Sequence, residues 1–465
     1  MQQHRRIMPL LLSATLMSLL IQHASAQSSD LEALATTVDD GFTIAVVGDI
    51  IIANPLGHMM SDPGFNEVVE LLRSADVATG NLEGNIIDGR TFSGSRGGGF
   101  GGEPEVADWL IEMGFDIVAR ANNHANDFGR EGLEETARHL KAAGLQYAGY
   151  GETYWAARAA RFYSSSRGRV GMVSTSDHEP RAEQARGEWP GIGGLSSLRV
   201  IRYFMVPEHS WDGLKRIRDD FPNGTFHYAR GINTPTQIEF LRQQFRKAAP
   251  GVTEPFYHYE MNQKDLDDVL ASVREGKIRS DLITVAIHAH HFLETKGGYR
   301  GEGIPEVEHL DTNSSIADYL PRFARAAIDN GADVFQGTGV HALRGIEIYK
   351  NRPIFYGLGE FIRQMDIIGL AGRGDPQRSI GPAGAEFPVK FQSILAINEF
   401  KDGKLTEVRL YPIEAGYEEL KLARRGIPRI APPDIGNQIL TRLQLLSAPL
   451  GTIIEIEGNI GFIRP

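Results

Sequence analysis

Asn122, Asn123, His124, Asn126 and Asp127 crowd into six positions after the apolar pair Ile117-Val118. Amide oxygens and imidazole nitrogens serve equally as ligands for a divalent cation or as partners for an anion. Gly129 follows, and a helical pattern then runs through Leu133, Ala137 and Leu140. A strand that ends in a polar loop before a helix is where open α/β sheets place their ligands. The same residue types also suit an Asx-turn leading into a helix cap, so this run by itself leaves both readings open.

Four other segments repeat the arrangement. Phe42 to Val47 is an apolar, β-branched run that stops at Gly48-Asp49, and Asp76 to Leu82 ends in Asn81 and Glu83. Leu282 to Ile287 runs into His288, His290 and His291, and Asp333 to Gln336 leads through Gly337-Thr-Gly-Val to His341. Strand side chains alternate, which puts His288 and His290 on one face and His291 on the other. Each residue alone has an ordinary explanation: Asp49 as a cap, Glu83 paired with an arginine, His341 on the surface. Parallel strands, however, leave their C-terminal ends on one sheet edge, where residues distant in sequence converge. Carboxylate, amide and imidazole groups without sulfur suit Mn, Fe or Zn in a hydrolytic site.

The elements that must position these groups alternate along the chain. Helical patterns span 63–72, 104–113, 130–143, 263–275, 314–330 and 434–446, with strand-like runs between them, which predicts a layered α/β fold. Residues 345–349 and 353–361 read as two strands across a turn at 350–352, and 389–400 with 406–412 as a hairpin. Residues 177–262 break the rhythm with many prolines and aromatics. They read as an insertion with helices near 208–220 and 234–247. Gly94 to Gly102 is a glycine-rich loop, but no strand directly precedes it and no Gly-Lys-Ser ends it, so it is no phosphate-binding loop.

The 465 residues include no cysteine, which excludes disulfides, thiolate zinc sites, a cysteine nucleophile and a lipoprotein anchor. Residues 1–26 read as a signal peptide: Arg5-Arg6, an apolar stretch from Leu10 to Ile21, then Ala24-Ser-Ala26 as the cleavage site. Residues 27–41 would be a linker. With 46 basic and 59 acidic residues left, the mature chain would carry −13, a poor match for nucleic acid. The expected location is the periplasm or the outside of the cell.

Val47-Gly-Asp49, Gly80-Asn-Leu-Glu83, Ala121-Asn-Asn-His-Ala-Asn-Asp-Phe-Gly129, Ile287-His288 and Gly345 to Phe361 together resemble the CapA family. These are the capsule or poly-γ-glutamate synthesis proteins of the calcineurin-like metallophosphoesterase superfamily. The resemblance keeps its order across 42–412. It implies a metallophosphoesterase-like α/β/β/α sandwich with a large insertion, the rest (413–465) packing on the domain as an extension. It also implies Asp49, Glu83, Asn123, His288 and His341 as metal-binding positions and His124 as the acid. The chain departs from the pattern at Ile51 and Gly339, where histidines stand in the superfamily and the family respectively. Leu-His-Trp-Gly becomes Ile287-His-Ala-His290, and Gly-Asn-Phe becomes Gly359-Glu-Phe361. One histidine lost and one gained on the same edge suggests that His290 replaces the missing ligand.

Two functions fit these residues. One is a metal-dependent hydrolase acting on an anionic polymer or a small ester or amide. The other is a non-catalytic polymer-binding accessory with a degenerate site. Either would take its place in capsule or poly-γ-glutamate synthesis, with a capsule-synthesis membrane complex as partner.

Overall fold

Strand Phe42–Ile51 is buried on both sides. Ile44 and Val46 face a core shared between two sheets, while Ala45 and Val47 face a layer of helices. A continuous apolar run, rather than an alternating one, is what two-sided burial requires. The computed structural model describes residues 38–94, 99–177, 194–220, 231–292, 316–365 and 388–465. The expected signal peptide, 1–26, and most of the linker, 27–41, lie outside the described residues.

The first sheet has ten strands. Its main path runs Glu455–Glu457, Ile460–Ile463, Lys404–Glu414, Gln392–Lys401, Phe42–Ile51, Val77–Leu82, Ile117–Ala119 and Gln146–Ala148. The last four of these are parallel. The second sheet orders Ile346–Tyr349, Arg352–Phe355, Val334–Thr338, Leu282–His288, Arg169–Ser176 and Arg161–Ser164, its middle four parallel. Ile44, Val46 and Ile117 of one sheet meet Met172, Leu282, Val334 and Phe355 of the other in one apolar layer. Helices Pro63–Ser74, Glu105–Met113 and Gly129–Ala143 cover the outer face of the first sheet. Gln263–Ile278 and Tyr319–Asp329 cover that of the second. The order is therefore α/β/β/α, as expected. The C-terminal extension is woven in: helix Pro433–Ser447 sends Ile439, Leu440 and Leu443 into the central layer beside Ile463.

Two expected elements differ. The segment 353–361 is not one strand: Arg352–Phe355 stays in the second sheet, and Glu360–Arg363 crosses to pair with Phe42–Ile51. Gly359 makes the crossing with φ 78°, a conformation that suits glycine. The helix expected at 234–247 is a hairpin of Gln237–Phe240 and Gln243–Lys247. Leu241 and Arg242, at φ 51° and 61°, form its two-residue turn. With Val200–Val206 and Phe256–Met261 this hairpin builds a separate four-stranded sheet inside the insertion. Helix Glu208–Asp220 packs Trp211 against Val206 and Ile238. Among the described residues no helix is long and apolar enough to cross a membrane.

The N-terminal edge of both sheets carries a repeated device. Asp76, Asp116, Asp281 and Asp333 each directly precede a strand and accept the backbone N–H of a neighbouring one. The donors are Thr43, Ala78, Arg169 and Ile283, at 2.7–2.8 Å. Asp333 adds Lys277 Nζ at 2.8 Å and Arg352 Nε at 3.0 Å while almost fully buried. Removing a carboxylate from a buried pair strands its partner charge. Asp333→Ala is thus expected to lower the unfolding free energy by about 3–5 kcal/mol. Urea denaturation checks this, and a loss of only a few tenths would refute the anchoring role.

Candidate metal centre

The site forms where the C-terminal edges of the two sheets meet. Gly48 allows that approach, because a Cβ there would stand 1.8 Å from the carbonyl oxygen of Gly359. Beyond Val46 the strand leaves Gln392–Lys401 and takes Glu360–Arg363 as its neighbour, with Asp49 opposite Glu360. Gln336 ties the sheets together by donating to the Val47 carbonyl at 2.8 Å.

Asp49 is buried and fully engaged. Its Oδ1 accepts from Asn81 Nδ2 at 2.8 Å, and its Oδ2 accepts from the Gly339 N–H at 3.2 Å. His288 Nδ1 stands 3.6 Å from Oδ1, and His341 Nδ1 3.3 Å from Oδ2. Burial would raise the Asp49 pKa, but the hydrogen bonds and charges of the two imidazoles outweigh it and hold the carboxyl well below the usual range. Glu83 is the opposite case. It is buried beside Asp49, and neither of its oxygens finds a hydrogen-bond donor among the described residues. Burial first, and the Asp49 charge second, push its pKa well up. Three imidazoles surround it at longer range: His288 and His341 at 3.8 Å and His124 at 3.9 Å from Oε1.

His288 Nε2 lies 2.9 Å from Asn123 Oδ1 and 3.1 Å from His290 Nε2. The His290 ring is also 5.2 Å from that of His341, centroid to centroid. His341 sits at φ 56°, a left-handed conformation that costs a side-chain-bearing residue about 1–2 kcal/mol. Burial would lower its pKa, but Glu83, Glu360 and Asp49 together raise it to about 10. All seven residues singled out in the sequence therefore sit within one cluster. Asp49, Glu83 and His288 offer ligand atoms within 4.8 Å of one another, and Glu83, His290 and His341 do the same. A buried carboxylate with two orphaned oxygens, ringed by imidazoles, suits a divalent cation. A cation there would reverse the electrostatics that now raise Glu83. Because the histidines must give up protons to ligate, binding would release protons and tighten as pH rises.

The position of Gly339 explains its missing side chain. At φ 97° a Cβ would stand 2.8 Å from the Ala289 nitrogen, so this backbone has no room for a histidine. Its N–H braces Asp49 instead. The strand ends at His288, and beyond it His291 pairs with Asp177 at 2.6 Å. His124 stands at the rim. Its Nδ1 is 2.8 Å from Asp127 Oδ2, which also accepts from the Phe100 N–H at 2.7 Å. Phe100 stacks on the imidazole, centroids 3.7 Å apart. Residue reading passed over two participants. Asn81, noted only as a strand end, bridges Asp49 and His288 through its Nδ2, at 2.8 Å and 3.0 Å. Glu360 was noted only as a departure from Gly-Asn-Phe.

A family model described as bacterial capsule synthesis protein PGA_cap matches residues 43–296 and 309–365. The chain belongs to this family. It is 40% identical over 466 residues to the uncharacterized protein y4sH of Sinorhizobium fredii (strain NBRC 101917 / NGR234), covering 92% of this chain and 94% of that one. It is 22% identical over 331 residues to the capsule biosynthesis protein CapA of Bacillus anthracis, covering 70% of this chain and 60% of that one. A hypothetical protein from Thermus thermophilus aligns structurally with 12% identity and a TM-score of 0.35, over 80% of this chain and 99% of that one. This PGA_cap member carries an acid–imidazole cluster in which Gly339 has no side chain and His290 stands beside His288. If His290 completes the set, His290→Ala should lower bound metal as much as His288→Ala does, by elemental analysis of the purified proteins. Unchanged metal content in His290→Ala would rule that out.

Proposed function

We propose that the protein is an exported, divalent-metal-dependent hydrolase of capsule or poly-γ-glutamate synthesis, acting on an amide or phosphoester bond. The orphaned carboxylate of Glu83 among His288, His290 and His341 carries this reading. When bound, a divalent ion supplies Lewis acidity and lowers the pKa of water. Mn, Fe and Zn all suit the ligand types. Asp49, Glu83, Asn123, His288, His290 and His341 would hold it. His124 has Nδ1 turned to Asp127, so its Nε2 faces the cluster and can protonate a leaving oxygen or nitrogen. Phe100 covers one face of that imidazole and shields it from water.

Family membership supports an amide or phosphoester substrate of capsule synthesis. The chain is acidic overall, which opposes a free polyanion, but a metal at the cluster locally inverts the sign. Export is proposed from the charged, apolar and small-residue pattern of 1–26. It predicts a mature N-terminus at Gln27, checked by sequencing protein recovered from the periplasm or medium. An intact Met1 would refute it.

Metal analysis paired with hydrolysis assays on phosphoesters and γ-glutamyl amides tests the chemistry. His124→Ala is expected to keep its metal and lose about 10²–10⁴-fold in rate. Metal-free protein, inactive on every ester and amide tried, would overturn the enzyme reading in favour of a polymer-binding accessory. An accessory role is in keeping with the name of a relative 26% identical over 300 residues, the probable polyglutamine synthesis accessory protein Rv0574c of Mycobacterium tuberculosis (strain ATCC 25618 / H37Rv).

A further inference from the structure

We propose that Glu360 is a positioning residue, the carboxylate that orients His341 toward the cation-binding cluster. This rests on the metal-centre reading above. Glu360 opens the strand that crosses between the sheets, directly opposite Asp49 in parallel register. It is almost fully buried, so its charge must be answered locally. Two groups answer it: His341 Nδ1 lies 3.1 Å from Oε1, and Arg363 Nε lies 2.5 Å from Oε2. Arg363 is itself held in place over the Phe391 ring, 4.6 Å from its centroid.

An imidazole that ligates through one nitrogen needs its other N–H held, which fixes the ring and raises its basicity. At His341 the division is set by geometry. Nδ1 lies 3.1 Å from Glu360 Oε1 and 3.3 Å from Asp49 Oδ2, ion-pair contacts without hydrogen-bond alignment, and Nε2 lies 3.8 Å from Glu83 Oε1, within the group that also contains His290. Glu360 is the nearer of the two carboxylates to Nδ1, and the Asp49 oxygens already accept from Asn81 and from Gly339. Asp49 also belongs to a ligand group of its own, whereas Glu360 belongs to neither. The left-handed backbone at His341 needs such a clamp, since the ring must be held where the chain alone would not favour it. Glu360 therefore acts through His341 and touches neither cation nor substrate.

The test is Co2+ titration of the metal-free protein, followed by visible absorption, for wild type, Glu360→Gln, His341→Gln and the double variant. Glutamine keeps an acceptor but loses the charge. Glu360→Gln is expected to raise the Co2+ dissociation constant about 10–100-fold and alter the absorption bands. In the His341→Gln background the same change should add little, because the two residues act as one unit. Equal effects in both backgrounds, or an unchanged constant and spectrum in Glu360→Gln, would overturn the positioning role while leaving the metal reading standing. No Co2+ binding by wild type would overturn the metal reading and this inference with it. Should Glu360→Gln not fold, Glu360→Asn, neutral and shorter, carries the same expectation and the same refutation.

Discussion

Three carboxylates, Asp49, Glu83 and Glu360, are buried at the junction of two sheets, and their mutual repulsion is the constraint around which the site is built. Taking even one such charge out of water costs several kcal/mol, so each must be hydrogen-bonded, paired or neutralised. Asp49 is settled by Asn81, Gly339 and two imidazoles, and Glu360 by Arg363 and His341. Glu83 alone is left to imidazoles at almost 4 Å. Protonation of Glu83 resolves the conflict without a cation, and a divalent ion held there would resolve it as well. The pressure that lifts the Glu83 pKa and the affinity such a site offers a metal are one electrostatic fact seen in two states.

Much of this was legible in the residues. Apolar runs that stop at an acid, an amide or a histidine identify strand ends, and strand parallelism gathers those ends. Side-chain alternation groups His288 with His290 and sets His291 apart, and the structure has them so although the strand ends at His288. The two layers of helices followed from their 3.6-residue patterns. Less legible was anything that depends on where the backbone crosses between sheets. The stretch from Pro353 to Phe361 is apolar enough to read as one strand, and only the φ of Gly359 sends its second half to the other sheet. That crossing delivers Glu360 to Asp49, so misreading the strand meant missing the residue. The hairpin at 237–247 was obscured in a different way. Gln-Ile-Glu-Phe alternates with a period of two, but Leu241 and Arg242 in its turn carry none of the usual turn chemistry.

Membership of the PGA_cap family and the geometry of the site bear on different questions. The first places the chain among capsule synthesis proteins; the second asks what its buried groups can do. They meet at Gly339, where the backbone has closed over the space a side chain would need and the amide has become a donor to Asp49. Gly339 thus acts as a brace, and His290, two residues beyond His288, stands beside that histidine with Nε2 3.1 Å from its Nε2.

The aspartates at the opposite edge bear on how changes at the cluster are tolerated. Asp76, Asp116, Asp281 and Asp333 stitch strand to strand at the ends farthest from the acid–imidazole cluster. Register is thereby secured at the edge opposite the cluster as well as by Gln336 beside it. Side chains at the cluster edge can therefore change while the strands keep their register. The stitching makes the reactive edge a place for experiment.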